Sequence, residues 1–316
     1  MLQTSVKVYL QSKMISLKEI KTRIQSVNST RQITSAMKMV SSAKLHKAQK
    51  IINDFYLYEE KLNQILTNFL EFELREDENH SFTPFSEERE VKKVTIVAIS
   101  SNNSLCGAFN SHIIKSLEKT IEAYSCLGSE NIHVIPVGKK ISEYAKRLPN
   151  VYSESLDGFV HKPKYEPIAN FADFLSKQFL EAATDRVELI YHHFKTAGTQ
   201  LLMRETYLPF HIESAIQLVK ESADEENNNP RYLTNYLIEP DPQELIDELI
   251  PKVIRLKLYT VLLDSLAAEH AARSIAMQIA TENADVLLQS LKVQYNKSRQ
   301  QVITNELLDI IGGSVQ

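Results

Sequence analysis

Residues 252–311 read KVIRLKLYTVLLDSLAAEHAARSIAMQIATENADVLLQSLKVQYNKSRQQVITNELLDII, without a single glycine or proline. Residues 1–83, at the other end of the chain, also lack both residue types. Because glycine and proline interrupt helices most strongly, their absence permits helices far longer than is usual. Such lengths are typical of a coiled coil, a membrane span or a repeat. The sequence therefore predicts a long helix at each end and a compact segment between them.

The composition narrows these possibilities. A hydrophobic fraction of 43% and a charged fraction of 24% are typical of a folded globular chain. No run of 18 apolar residues occurs, so no segment is predicted to cross a bilayer. No internal repeat is visible either, which leaves a coiled coil. The two cysteines, Cys106 and Cys126, form no metal-ligand pattern and indicate a reducing compartment.

The amino-terminal helix has a defined start and an apolar seam. Ser16, followed three residues later by Glu19, forms a capping box that satisfies backbone amides at the helix end. Apolar residues then recur at spacings of three and four, as in a coiled coil. The seam is predicted to run through Leu17, Ile20, Ile24, Val27, Ala36, Met37, Val40 and Ala43, and then through bulkier residues from Ile51 to Phe69.

The carboxy-terminal helix is expected to begin after Pro242. Pro251 lies inside its pattern and should either kink the helix or mark a fresh first turn. From Lys252 the helix can continue to Ile311, before two glycines. Its stripe is mostly apolar, with small residues that allow close approach of a second helix.

The middle of the chain has a different pattern. A continuous β-branched run predicts a buried strand over 94–99. Further strands are predicted over 132–137, 187–194 and 201–210, with a hairpin turn at Ala197-Gly198. Helical patterns lie between them: one ending near Gly128, a short one towards Leu148, and one over 168–184. Alternating strands and helices favour an α/β class, here a Rossmann-like domain with a largely parallel sheet.

These patterns divide the sequence into six segments. They are a disordered tail at 1–15, a coiled-coil helix at 16–75, an exposed linker at 76–90, the α/β domain at 91–220, an acidic loop and following segment at 221–242, and the second coiled-coil helix at 243–316.

The search for catalytic residues gives no site. The turn SSNNSLCGAFN at 100–110 follows a strand, but a single Gly107 does not make a phosphate-binding loop. His192 and His193 point to opposite faces of a strand, so we expect one buried and one exposed ring and no chelated metal. Glu269 and His270 are expected on a solvated helical surface. We therefore expect no catalytic residue, no cofactor and no metal.

The charge distribution points to a protein partner. Between Ser16 and Lys50 eight Lys or Arg residues stand against one acid, Glu19. A basic helix seeks an acidic partner. Nucleic acid is disfavoured because the segment has no aromatic residues and the chain as a whole carries a net charge of −4.

Both ends of the chain resemble a known family. Residues 20–44, IKTRIQSVNSTRQITSAMKMVSSAK, resemble the amino-terminal signature of the ATP synthase gamma subunits, and residues 295–311 resemble their carboxy-terminal signature. Residues 239–242, 267–277 and 281–283 match as well. The chain departs from the family in the middle, where Ser101-Asn-Asn-Ser104 stands in place of the usual Thr/Ser-Asp-Arg-Gly, and it lacks the chloroplast-type insertion with paired cysteines.

The resemblance implies a fold, a function and partners. The terminal helices would wind into an antiparallel left-handed coiled coil, the rotor of the central stalk, inside a ring of alpha and beta subunits. Proton flow through the membrane c ring would turn this rotor and drive the catalytic beta sites through their states. The chain itself would be non-catalytic, with epsilon as a further partner. It would lie peripherally at the cytoplasmic side of the bacterial inner membrane, held there only through the complex.

The resemblance also implies roles for individual residues. It places contacts to a beta subunit at Arg23, Met37, Lys38 and Arg273. Polar catch contacts follow at Arg299, Gln300, Thr304 and Glu306. An apolar bearing is formed by Ile303, Leu307 and Ile311, and the foot near the c ring and epsilon by Tyr236 and Glu239.

Two other classes of protein remain as alternatives from the residues themselves. A coiled-coil scaffold or adaptor with an α/β binding head would form a stable homodimer through its long helices. A nucleotide-dependent enzyme would bind ATP in its middle domain, although the glycine-poor turn disfavours that.

Overall fold

A computed structural model describes residues 16–73, 84–152, 154–210 and 242–313 of the chain. The predicted tail at 1–15 and the acidic loop at 221–231 lie outside this range. The chain contains two compact units. The first comprises Met1–Val40 with Ser274–Gln316, and the second Ser41–Arg273. The two longest helices pass through both.

The described elements follow the predicted order of helices and strands. They are α1 (Leu17–Glu73), β1 (Val94–Ile99), α2 (Phe109–Ala123), β2 (Ile132–Val137), α3 (Lys139–Ala145), α4 (Asp157–His161), α5 (Tyr165–Leu180), β3 (Arg186–Thr196), β4 (Thr199–Leu208) and α6 (Pro242–Gly313).

Both long helices are confirmed. The amide of Glu19 donates to Ser16 Oγ at 3.2 Å, so Ser16 caps the first turn of α1 as predicted. In α6 the helix continues through Pro251, which is therefore not the start of a fresh helix. Helix α4, a single short turn of helix, was not predicted.

The first unit is an antiparallel coiled coil. Arg31 Nη1 lies 3.2 Å from Asp285 Oδ1, and Thr34 Oγ1 lies 2.8 Å from Thr281 Oγ1, so α6 descends as α1 ascends. On both helices, buried and half-buried residues recur at spacings of three and four, the period of a left-handed coiled coil. We call them the seam: Ile20, Ile24, Val27, Arg31, Thr34 and Lys38 on α1, and Met277, Thr281, Ala284, Leu288, Leu291, Tyr295 and Ser298 on α6.

Part of the predicted seam is wrong. Ala36 and Ala43 are exposed, and Val40 is 56% exposed. The true seam keeps the phase set by Ile20 and Ile24, which brings polar side chains such as Thr34 to the inside. Apolar character therefore misled the prediction, because the heptad phase and not the residue type decides which side chain faces the partner helix.

The second unit is built on a four-stranded sheet in the order β2-β1-β3-β4. Strand β1 pairs in parallel with β2 and with β3, and β3 pairs antiparallel with β4. The two-residue turn at Ala197-Gly198 joins the last two strands, as predicted. The largely parallel sheet of an α/β domain is confirmed.

Helices cover both faces of this sheet. On one face α2 and α3 pack on β1 and β2 through residues such as Ile113, Leu117 and Ile141. On the other face α5 packs together with α6, and the residues of α6 from Leu249 to Leu263 belong to the largest apolar cluster. All six residues of β1 are buried, which explains why Thr95 is its only polar residue.

Part of the predicted linker packs against the domain. Phe85 lies against the main core, and its carbonyl accepts a hydrogen bond from the amide of Phe210. Arg89 Nη1 donates to the carbonyl of Phe179 at 3.0 Å, and its guanidinium lies 5.2 Å from the centre of that ring. Residues 84–90 are thus attached to α5.

The turn from β2 into α3 requires a glycine. Gly138 has φ +100°, and a Cβ there would lie 2.4 Å from the carbonyl oxygen of Ser100. Nothing lies within 4 Å of a Cβ added at Gly158 in α4.

Replacing Gly138 by alanine should therefore destabilise the domain by about 2 kcal/mol or more, since backbone strain and a steric clash combine. Chemical denaturation of the full chain would measure this. The matched control is Gly158→Ala, which should change the free energy of unfolding by less than about 0.5 kcal/mol. Equal stabilities of the two variants would contradict the role given to Gly138.

Candidate interaction surfaces on the long helices

The carboxyl edge of the parallel strands is where α/β domains usually bind ligands. Here the turn after β1 uses the available groups itself. The amides of Lys139 and Lys140, at the start of α3, donate to Asn102 Oδ1 and to the carbonyl of Ser101. The next amide, of Ile141, donates to Ser100 Oγ at 3.0 Å. The first amides of α3 are therefore not available to a phosphate group.

Helix α6 fills the neighbouring space beside β1 and β3. Ala268 packs against Cys106 and Phe109 in a small buried cluster. Arg273 Nη2 donates to the carbonyl of Asn103 at 3.1 Å, and its Nη1 donates to Glu269 Oε1 at 2.5 Å. This crevice is occupied by the chain's own side chains, which argues against the nucleotide-dependent enzyme.

The expectation for Glu269 and His270 is wrong. They are 4% and 8% exposed, not on a solvated surface. Burial raises the pKa of Glu269, and the charge of Arg273 opposes that shift. Burial also lowers the pKa of His270 to about 4, with smaller contributions from Arg273 and Lys44. Spacing alone could not reveal this, because the same stretch of α6 packs against residues far away in sequence, with Ala267 and Ala271 against Leu45 and Ala48 of α1.

The histidine pair on β3 behaves as predicted. His192 is 2% exposed and stacks on Phe109, whereas His193 is exposed. Burial lowers the pKa of His192 to about 4, helped by the nearby His112. His193 Nδ1 lies 2.6 Å from Asp264 Oδ2 on α6.

Three of the predicted beta-contact residues lie on α1 and remain accessible. Arg23 is exposed, and Met37 and Lys38 are half-buried. Exposed apolar side chains surround the last two: Ile33 at 60%, Met39 at 66% and Val40 at 56%. The fourth, Arg273, is 7% exposed and bonded within the chain, so its geometry favours a structural role over contact with another subunit.

The end of α6 presents the other predicted residues together. Every residue from 299 to 311 is exposed. Ile303, Leu307 and Ile311 recur at a spacing of four and so share one face of the helix. Arg299, Gln300, Thr304 and Glu306 lie on the same stretch, with Thr304 Oγ1 donating to the carbonyl of Gln300. Tyr236 and Glu239, the predicted foot residues, lie outside the described residues.

One surface was missed from the sequence. Ile279, Val286 and Val293 are 52%, 67% and 68% exposed and stand seven residues apart on α6. Each lies two residues from a seam position on either side, and two residues turn a helix by about 200°. These side chains therefore point away from α1. The seven-residue spacing was visible in the sequence, but only the correct seam phase shows that it marks the outer face. We call these three residues the outer stripe.

Comparison with known proteins identifies the family to which the chain is similar. A family described as ATP synthase matches residues 16–315. The ATP synthase gamma chain of Bacteroides thetaiotaomicron is 52% identical over 303 residues, covering 96% of this chain and 100% of the relative. The gamma chain of Bacteroides fragilis is 54% identical with the same coverage. A chain of the Euglena gracilis mitochondrial ATP synthase, solved by cryo-EM with OSCP, F1 and the c-ring, aligns with a TM-score of 0.61 at 19% identity over 95% of this chain and 93% of its own length.

The match over nearly the whole length places the chain among the subunits of ATP synthases. The chain belongs to the ATP synthase gamma-chain family. As a gamma chain it is a non-catalytic subunit of a membrane-bound complex. Among its described residues no helix is long and apolar enough to span a membrane. The family assignment removes the scaffold alternative.

The buried histidine of β3 makes a pH prediction. His192 stays neutral in the folded chain down to about pH 4 but takes up a proton below about pH 6.5 when unfolded, so stability is lost as pH falls through that window. Between pH 7 and pH 5 the loss from this ring should be about 2 kcal/mol. Denaturant titrations at both pH values, on the chain and on His192→Phe, would measure it.

The Phe ring keeps the stacking but cannot titrate, so the variant should show a smaller loss of stability. The matched control is the same substitution at an exposed histidine on α1, His46→Phe, which leaves the His192 ring in place. Identical pH dependence in the chain and in His192→Phe would rule out the assignment.

Proposed function

We propose that the coiled coil of the first unit turns inside a ring of alpha and beta subunits and couples proton flow through a c ring to the catalytic beta sites. The outer stripe is the observation that carries this. A two-helix coiled coil buries only its seam, so its outer positions are normally polar. Apolar side chains there indicate a second, surrounding partner.

The charge of α1 supports an acidic partner along the same helix. Lys18, Lys21 and Arg23 are exposed near its start, and Lys44, Lys47 and Lys50 further along. Basic residues at an interface steer an acidic surface into place and fix its orientation. We assign Arg23, Met37 and Lys38 to contact with the acidic loop of a beta subunit. Met37 adds a flexible apolar side chain that suits a moving contact.

The end of α6 has the properties of a bearing. Ile303, Leu307 and Ile311 would seat in an apolar sleeve of the ring, and Arg299, Gln300, Thr304 and Glu306 would make polar catch contacts. The mixture is appropriate for rotation, because apolar contacts are non-directional and exposed polar contacts are individually weak. Tyr236 and Glu239 would meet epsilon and the c ring. Through these partners the chain would lie at the cytoplasmic side of the inner membrane.

Co-purification tests the proposed assembly directly. A tagged copy should bring down alpha and beta subunits together with ATPase activity. Recovery of a homodimer alone, measured by light scattering, would overturn the proposal.

The outer stripe can be tested by charge. Val286→Asp should weaken association with the alpha and beta subunits about tenfold or more, since it buries an unpaired carboxylate. Gln289→Asp places the same charge at an exposed polar position on the same helix and serves as the control. Subunit recovery at equal expression gives the comparison, and equal recovery would show that the stripe stays in water.

The assignment of Met37 predicts a loss of coupling. Met37→Lys should lower the ratio of ATP-driven proton pumping to ATP hydrolysis several-fold in the assembled complex, because it adds a charge at a moving contact. Met37→Leu, which keeps an apolar side chain of similar volume, should leave the ratio near normal. Coupling of the lysine variant equal to that of the unsubstituted complex would exclude Met37 from the interface.

A further inference from the structure

The contact between Arg273 and the turn after β1 indicates a mechanical role. We propose that Arg273 is a positioning residue that fastens the α/β domain to α6, so that domain and helix turn as one body. This role rests on the proposed rotor function. It replaces the beta-subunit contact expected for this residue.

The donors of Arg273 are already engaged within the second unit. Its Nη1 pairs with Glu269 Oε1 at 2.5 Å, and both side chains of this pair are less than 10% exposed. Its Nη2 lies 3.1 Å from the carbonyl oxygen of Asn103 and 3.5 Å from that of Ser104. Glu269 binds one nitrogen of the planar guanidinium and so orients it, while the other nitrogen reaches the turn. A lysine ammonium cannot reproduce this two-sided geometry.

The turn that Arg273 grips connects to most of the domain. Ser101 donates to Asn110 Oδ1 on α2 at 2.9 Å. Asn102 accepts from the amide of Lys139 at the start of α3 and donates to the carbonyl of Asp157 on α4. The turn itself continues β1. Through this turn, Arg273 is therefore linked to β1 and, by hydrogen bonds, to α2, α3 and α4.

A second attachment lies further back along the same helix. Asp264 accepts hydrogen bonds from the amide of Phe194 at 2.9 Å and from His193 Nδ1 at 2.6 Å, at the end of β3. Asp264 and Arg273 are about 13 Å apart along the helix axis at ~1.5 Å per residue. The two polar attachments extend the hold of the apolar core, which already buries α6 from Leu249 to Leu263, along about the next two to three turns of the helix.

The attachments made by Arg273 and Asp264 lie between the α/β domain and α6, and torque on the domain would reach the helix through them. In a rotor whose domain is driven by neighbouring subunits, the force reaches α6 through side-chain contacts. Charge-assisted hydrogen bonds in a buried site suit this task, because they are directional and are costly to break without a replacement. The apolar cluster of Ala268 with Cys106 and Phe109 fills the same junction but resists sliding less.

A native thiol reports on the junction. Cys106 is 1% exposed and accepts a hydrogen bond from Asn110 Nδ2 at 3.2 Å, within the turn that Arg273 grips. Cys126 is exposed and would be replaced in a Cys126→Ser parent. The rate at which a maleimide labels Cys106 in the full-length chain then measures how often the turn opens.

In this parent, Arg273→Lys should raise the labelling rate about tenfold, the change expected when one charge-assisted hydrogen bond in a buried site is lost. Glu269→Gln, which keeps an acceptor but removes the charge, should give a smaller increase. The matched control is Arg255→Lys, since Arg255 Nε also binds the domain from α6, but through Asp173 on α5 at 2.6 Å. It should leave the labelling of Cys106 unchanged.

The same variants in the assembled complex test the mechanical role. Arg273→Lys should lower the ratio of proton pumping to ATP hydrolysis, and Asp264→Asn should act in the same direction. Labelling of Cys106 at the parent rate in Arg273→Lys would overturn the attachment. Raised labelling with an unchanged ratio would overturn the transmission of torque. Failure of the unsubstituted chain to assemble with alpha and beta subunits would instead overturn the proposed function, and the labelling result would stand without it.

Discussion

The burial of α6 against the α/β domain is the interaction on which the rest of the second unit depends. From Leu249 to Ala271 most residues of this helix are buried, and they meet the sheet, α5 and α1 in turn. A helix that is apolar on several sides can only be stable inside a core. It therefore acts as the central element of the domain and not as an appendage. The sheet presents its face to α6, and the turn after β1 ends in contact with it.

The same burial explains why the domain does not behave like an enzyme. In an open α/β sheet the crevice beyond the carboxyl ends of the strands is the usual ligand site. Here Ala268 and Arg273 occupy that place, and the turn's own side chains take the first amides of α3. The strand order of an α/β domain is retained, but the polar groups at this edge bind α6 and α3 of the same chain. The contacts proposed with other subunits therefore lie on the long helices and not at this edge of the sheet.

Much of the fold followed from local pattern. The absence of glycine and proline indicated both long helices, and continuous apolar runs located β1, β2 and the hairpin, because these signals depend only on neighbours in sequence. The seam between Arg31 and Lys38 was misjudged, since its phase is inherited from Ile20 and Ile24 while its side chains are polar. The burial of Glu269 was also missed, because its stretch of α6 packs against residues distant in sequence, as the contact of the adjacent Ala268 with Cys106 and Phe109 shows. The residues expected to touch other subunits were located by resemblance, and the chain alone could show only which of them are accessible.

The outer stripe has a consequence for how the complex is built. A newly made chain displays Val286 and Val293 to water along with the apolar end of α6, and two such chains offer each other matching surfaces. Exposed apolar strips of this kind favour self-association at high concentration. In the proposed complex, solubility therefore depends on early association with the alpha and beta subunits, and a cell gains by making this chain at the same time as them. In that complex, the feature suited to rotation therefore also favours an early place for this chain in the order of assembly.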